Sequence, residues 1–431
     1  MARLIILILV FFIIELYTFF AIRALTKSKI ILIGFWILVV VIYSVFFYQM
    51  NLTQRESRFS LNTGYAIALL LTFVVPKLFI LAILFIEDIV RFFWAIMNYF
   101  QYNEGVKEAI PSRRKFISQI ALGIAAIPFA GFLYGVFKGK YDFRVVNQHI
   151  EFDDLPEAFD GFTITQISDI HSGSFDNKEK IEYAVNLINE QESDVILFTG
   201  DIVNAVAEEM DPWVDTFKKL SAKHGMYSVL GNHDYGYYAY KTKAGIEKNH
   251  KKLEAIHKTI GFDLLLNESR TIERNGQKIN ILGVENWGAS RHFPKRGSLK
   301  KTTESIDDNS FNILMSHDPS HFDFKTVEVN DTDEFNLDVF TDESNVIDFE
   351  KNIQLTLSGH THGMQFGIEI PFLGIKWSPA KYRYPKWAGL YKEAGKFLYV
   401  NRGFGFLAFP GRVGIWPEIT VITLKKGVNN A

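Results

Sequence analysis

The stretch Leu355–Gly367, LTLSGHTHGMQFG, places two histidines, His360 and His362, around a single threonine. They follow an apolar run directly and are fenced by glycines. An imidazole costs conformational freedom to hold still in a turn, so the pair asks for something to hold. An H-x-H pair alone is weak evidence, because surface turns carry such pairs without binding anything. The reading therefore depends on what the rest of the chain supplies.

Working outward, four more short apolar runs resemble the one that leads into this pair. They are TITQIS (163–168), DVILFTG (194–200), MYSVLG (226–231) and NILMS (312–316), and the fifth is IQLTLSG (353–359). Each reads as a buried strand bounded by turn residues. Between the first two, Ile181, Ala184, Val185, Leu187 and Ile188 recur at helical spacing behind the capping-type residues Asp176 and Asn177. Strands alternating with helices predict an α/β layered domain from about Tyr141.

Every one of the five strands ends in residues able to bind a metal. The first leads to Asp169 and His171, the second to Asp201, and the third to Asn232, His233 and Asp234. The fourth leads to His317 and the fifth to His360 and His362. Carboxyl ends of strands face the ligand crevice in open α/β sheets. Five of the eleven histidines fall at these positions. Any one motif alone is more simply a capping Asp or a satisfied core histidine, but the series has no comparable structural explanation. His360 and His362 are expected to hold metal.

The order D-x-H, G-D, G-N-H-D, H, G-H-x-H resembles the calcineurin-like metallophosphoesterases over roughly Phe152–Leu424. The phrases DLPEAFDGFTITQISDIH (154–171) and YVNRGFGFLAFPGRVGIWPEITVITL (399–424) are similar to its membrane-anchored bacterial branch. That branch is related to enzymes acting on phosphodiesters and on the UDP-diacylglucosamine of lipid A synthesis. The resemblance implies a layered β-sandwich with flanking helices and two divalent metal ions. One ion would take Asp169, His171, Asp201 and His362, and the other Asp201, Asn232, His317 and His360, with Asp201 bridging. An all-N/O ligand set suits Mn, Fe, Zn or Co. His233 would protonate the leaving oxygen, with Asp234 orienting its ring. Met364 stands where the family more commonly has glycine.

Ahead of this domain lie four segments apolar enough to cross a bilayer, roughly Leu4–Ile22, Ile30–Tyr48, Tyr65–Ile86 and Phe116–Phe137. The expected organisation is three transmembrane helices in 1–100 and a basic loop with a fourth helix in 101–140. The catalytic domain then fills 141–431, with an acidic surface insertion at about 328–350. Basic residues cluster in the first loop (Arg23, Lys27, Lys29) and the third (Lys107, Arg113, Arg114, Lys115). Basic loops stay in the cytoplasm, so the catalytic domain is expected on the outer face of a bacterial inner membrane. The run Ser112–Ile117 also fits a twin-arginine export signal. Glu15 in the first span and Lys77 in the third reach depths that agree to within about one helical turn, which predicts a pair; separate snorkelling is the alternative.

Composition excludes some classes. There is no cysteine, which removes disulfides and thiolate metal sites, and a net charge of −2 argues against nucleic acid as a partner. The segment FGIEIPFLGIKWSPAKYRYPKWAGLY (366–391) mixes aromatic and basic residues, as a lipid headgroup interface does. A lipid-linked phosphodiester or pyrophosphate is the expected substrate. A soluble nucleotide or phosphomonoester, or a phosphate-sensing membrane scaffold without catalysis, are the alternatives.

Overall fold

The computed structural model describes residues 2–56, 60–101, 111–290, 292–307, 309–323, 353–370 and 373–427. The acidic insertion at 328–350 and the loop residue Lys107 lie outside them. Two compact units result, residues 1–137 with 408–411, and residues 138–407 with 412–431.

The first unit consists of four helices, α1 (Ala2–Leu25), α2 (Lys29–Glu56), α3 (Leu61–Gln101) and α4 (Pro111–Phe137). Each contains a stretch long and apolar enough to cross a membrane. Large apolar side chains such as Ile30, Ile127 and Phe92 are exposed, which in water would be untenable and in lipid is expected. Small residues sit where the helices meet: Ala21, Ala121 and Ala125 pack with Ile80 and Leu84, letting backbones approach closely. Helix α3 runs past the expected end at Ile86, and Glu87 and Asp88 in that extension pair with Arg114 of α4. The second arginine of the twin-arginine-like run is thus an ion-pairing residue of the bundle.

The second unit is a β-sandwich. One sheet has the order β1-β14-β2-β3-β4-β5, from Arg144–Phe152, Glu418–Lys426, Thr163–Ile167, Val195–Phe198, Met226–Ser228 and Asp263–Leu264. The other has the order β12-β13-β9-β8-β7-β6, from Gly389–Glu393, Lys396–Val400, Leu355–Ser358, Phe311–Met315, Gln277–Gly283 and Glu268–Arg274. A separate two-stranded ribbon pairs β10 (Ile368–Ile370) with β11 (Ile375–Trp377). The five expected strands are β2, β3, β4, β8 and β9.

Strand alternation explains the layers. Val195 and Leu197 of β3 point into the inter-sheet core with Ile313, Met315, Leu355 and Leu357. Ile196 and Phe198 point the other way, onto Ile181, Val185 and Ile188 of the helix Lys178–Asn189 and Leu253 and Ile256 of the helix Lys243–Ile260. The parallel strands are buried on both faces, which is why they read as unbroken apolar runs rather than alternating ones. Asn177 caps the first of these helices, its side chain accepting from the Lys180 N–H at 3.0 Å. Because β2, β3 and β4 are parallel, as are β8 and β9, the ends of each set open on one edge.

Candidate metal centre and active site

The strand ends bring together every residue singled out from the sequence. Asp169, His171 and His362 form one buried cluster and Asp201, His317 and His360 a second, each with ligand atoms within 4.8 Å of one another. Asp201 stands between them: its Oδ2 lies 3.1 Å from His317 Nε2 and 3.6 Å from His171 Nε2. His362 Nε2 lies 3.1 Å from Asp169 Oδ1, and His360 Nδ1 3.2 Å from His317 Nε2.

The backbone is bent to make this possible. Asp169, His171, Asp201, His360 and His362 all sit in the left-handed region, with φ of 54°, 49°, 61°, 71° and 48°. Non-glycine residues visit this region at a cost, and such strain gathers at functional sites. Met364 follows with φ 49°, a conformation glycine would adopt freely, which accounts for glycine being commoner there in the family the sequence resembles. At Gly359 the chains approach so closely that a Cβ would lie 1.9 Å from Ser168 Oγ.

The donor set fits divalent cations. His171 Nε2 and Asn232 Oδ1 are buried with no hydrogen-bond partner, as ligand atoms are before a metal binds. Burial alone would raise the Asp201 carboxyl, but His317, His233 and His171 hold it well below the usual range. Burial would likewise lower His317, and the Asp201 charge instead lifts it to about 10. His171 is driven well below its ordinary value, mainly by burial, so it stays neutral and able to ligate. His317 Nδ1 lies 2.8 Å from the Thr199 carbonyl and His360 Nε2 2.7 Å from the Tyr384 hydroxyl, outer contacts that fix ring orientation.

His233 and Asp234 do different work. The His233 ring stacks on Tyr238 at 4.6 Å, and its Nδ1 lies 2.6 Å from the Asn204 carbonyl. The ring contact at Nδ1 thus comes from Asn204, not from Asp234. The Asp234 carboxylate accepts from the backbone N–H groups of Asp201, Ile202 and Gly231 at 2.8, 2.9 and 2.8 Å, tying two ligand turns together. Burial and the Asp201 charge push it up to about 7, against the pull of these donors.

Three neighbours were not anticipated as site residues. Tyr384 reaches His360 from the aromatic segment. Asp318, next to His317, is buried with Oδ2 3.7 Å from His360 Nε2. Arg412, fully buried, places Nη2 3.2 Å from His362 Nδ1 while donating to the Arg402 and Gly403 carbonyls. Only Asp318 had a sequence signal, its adjacency to a ligand. Tyr384 and Arg412 arrive through long-range packing.

The family model described as calcineurin-like phosphoesterase matches residues 162–364, and that described as probable calcineurin-like phosphoesterase, transmembrane domain, matches residues 2–140. The chain belongs to the calcineurin-like metallophosphoesterases. Relatives of this metallophosphoesterase include the uncharacterized metallophosphoesterase YkuE of Bacillus subtilis, 29% identical over 73% of this chain and 98% of YkuE. A transmembrane protein with metallophosphoesterase domain from Danio rerio is 24% identical over 75% of this chain and 66% of its own length. Phosphodiesterase YaeI of Escherichia coli is 25% identical over 73% of this chain and 99% of YaeI. The metallophosphoesterase is thus a membrane-associated, metal-dependent hydrolase of phosphoric esters, phosphodiesterase-like in its relatives.

Proposed function

We propose that this enzyme hydrolyses a phosphodiester or pyrophosphate bond of a lipid-linked or envelope substrate. One observation carries the reading, a cavity of roughly 360 Å³ whose lining combines the clustered site residues with apolar side chains. His171, Asp201, Asn232, His233, His360 and His362 line it, and so do Phe293, Met364, Leu407, Arg383 and Tyr384. The histidines and acids suit a phosphoryl group and the apolar side chains an apolar substituent, while Arg383 offers charge to a second phosphate oxygen.

Asp169, His171, Asp201 and His362 would hold one divalent ion, and Asp201, Asn232, His317 and His360 the other. Bound there, the pair would lower the pKa of a water and neutralise the phosphoryl oxygens; Mn, Fe, Zn and Co all suit the donors. His233, tethered at Nδ1 by the Asn204 carbonyl, lines the cavity and would give the proton of its other nitrogen to the leaving oxygen. The loop charges Arg23, Lys27 and Lys29, with Arg113, Arg114 and Lys115, support placement of the domain outside a bacterial inner membrane.

The test uses the purified full chain with metal. It should turn over bis(4-nitrophenyl) phosphate, and 4-nitrophenyl butyl phosphate should exceed the methyl ester by up to roughly fifty-fold in kcat/KM, since three further buried CH₂ groups at ~0.8 kcal/mol each contribute about 2.4 kcal/mol. Equal values for the two esters would favour a soluble nucleotide or phosphomonoester. No metal-dependent turnover at all would favour a phosphate-sensing scaffold.

A further inference from the structure

The ribbon of β10 and β11 is built inside out. Ile368 pairs with Trp377, Glu369 with Lys376, and Ile370 with Ile375. Side chains alternate along a strand, so Glu369 and Lys376 share one face and the four apolar residues share the other. The polar face is the one fastened to the domain. Glu369 accepts from Arg402 Nη2 at 2.8 Å, and Lys376 donates to the Ala388 carbonyl beside the Trp387 and Tyr391 rings. The apolar face is largely bare: Ile368 is 52% exposed, Ile375 43% and Trp377 38%, with Leu373 between the strands at 59% and Ile370 half-buried. A sheet packed on a soluble domain does the opposite, apolar side in.

We propose that this face docks into the headgroup–acyl boundary of an anionic bilayer. Trp377 and the exposed Tyr382 are the residue types that settle at that depth. In the same segment Lys376 and Lys386 are engaged by the domain, which leaves Lys381 and Arg383 as the charges that complement anionic lipid. A bilayer is at hand because the same chain spans one. The ribbon is also tied to the catalytic turn: Ser378 Oγ donates to the Gly363 carbonyl, and Thr361 Oγ1 to the Trp387 carbonyl at 2.6 Å. Docking therefore sets the bilayer surface beside His360 and His362 and holds Arg383 and Tyr384 at the mouth of the cavity. This inference concerns a partner of the domain and does not depend on which phosphoester is cleaved.

Because the chain has no cysteine, Ile368→Cys and Ile375→Cys can each carry a single nitrobenzoxadiazole label. Tyr183→Cys, on the helix Lys178–Asn189 and likewise exposed, serves as the reference. The full chain is reconstituted in nanodiscs of phosphatidylcholine, with or without phosphatidylglycerol, and quenched by doxyl-labelled lipid. Labels at 368 and 375 should be quenched several-fold more than at 183, and more strongly with phosphatidylglycerol. Turnover of bis(4-nitrophenyl) phosphate by the labelled proteins verifies that they are folded. Quenching no greater than at 183 would overturn the proposal. So would disulfide-linked dimers of unlabelled Ile375→Cys, which would assign the face to a second copy of the chain.

Discussion

Lys77 Nζ lies 2.8 and 2.7 Å from the two carboxylate oxygens of Glu15, 62 residues earlier in the chain. The Tyr43 hydroxyl donates to the same carboxylate at 3.1 Å, so three spans meet on one acid. Both charges are buried, which decides between pairing and separate snorkelling. Breaking a buried pair by removing one partner costs about 3–5 kcal/mol, because the other charge is left uncompensated. Glu15→Gln and Lys77→Met should each lower the melting temperature in detergent, and the double variant should recover much of the loss. Strictly additive losses would show that the pair contributes nothing.

At the candidate metal centre, Asp201 belongs to the cluster of His317 and His360 and also lies 3.6 Å from His171 of the other. If Asp201 bridges the two ions as proposed, Asp201→Asn would exchange one ligand oxygen for a weakly binding amide, so activity should be lost together with part of the metal. His233→Ala should keep its full metal content and lose about 10²–10⁴ in kcat, the usual worth of general acid–base catalysis. Elemental analysis beside steady-state rates separates the two outcomes. Normal turnover in either variant would remove that residue from its role.

Asp234 makes a sharper case, because the two roles considered for it predict different measurements. A residue that only orients the His233 ring would change kcat at constant metal. A residue that clamps the backbone of Asp201, Ile202 and Gly231 should, as Asp234→Ala, lower both metal content and melting temperature. Each orphaned buried N–H costs about 1–3 kcal/mol. Full metal occupancy with a slow rate would favour the orienting role.

The parts of this site legible in the sequence were those in which one short segment carries both the strand and its ligand. Buried strands such as Val195–Phe198 announce themselves as unbroken apolar runs, and the ligand turn follows within a few residues. What stayed hidden depends on distant segments meeting. Tyr384 reaches His360 through a loop packed by Trp387, Ala380 and Ile415. Asp234 was legible as a site residue but not in these contacts, since hydrogen bonds to backbone groups 32 and 33 residues away leave no pattern in side-chain types. The ribbon's composition suggested a lipid interface, but only the strand register shows which face is turned outward.

Topology can be measured on the same cysteine-free background. Lys223 is well exposed on the second unit and Lys115 is exposed near the start of α4. With the catalytic domain outside the inner membrane, Lys223→Cys should react with an impermeant maleimide in intact spheroplasts and Lys115→Cys only after lysis. The reverse pattern would place the enzyme on the cytoplasmic face.

His257 gives the catalytic domain an acid sensitivity separate from its metals. The ring is fully buried between Phe198 and Phe262, with Nδ1 3.0 Å from Ser228 Oγ. Burial, aided by the nearby His250, lowers its pKa to about 3. In the unfolded chain the ring titrates near ~6.5. Between these values the unfolded state binds a proton that the folded state refuses, so stability falls as pH drops from about 6.5 toward 3, by up to about 1.4 kcal/mol per pH unit. His257→Leu removes this dependence, though it also loses the Ser228 contact. Metal loss in acid is common to both proteins, so the comparison of the two isolates the histidine. The wild type should melt higher at pH 7.5 and lose its lead over the variant as pH falls; a gap in melting temperature that stays constant across that range would show that His257 does not couple folding to protons.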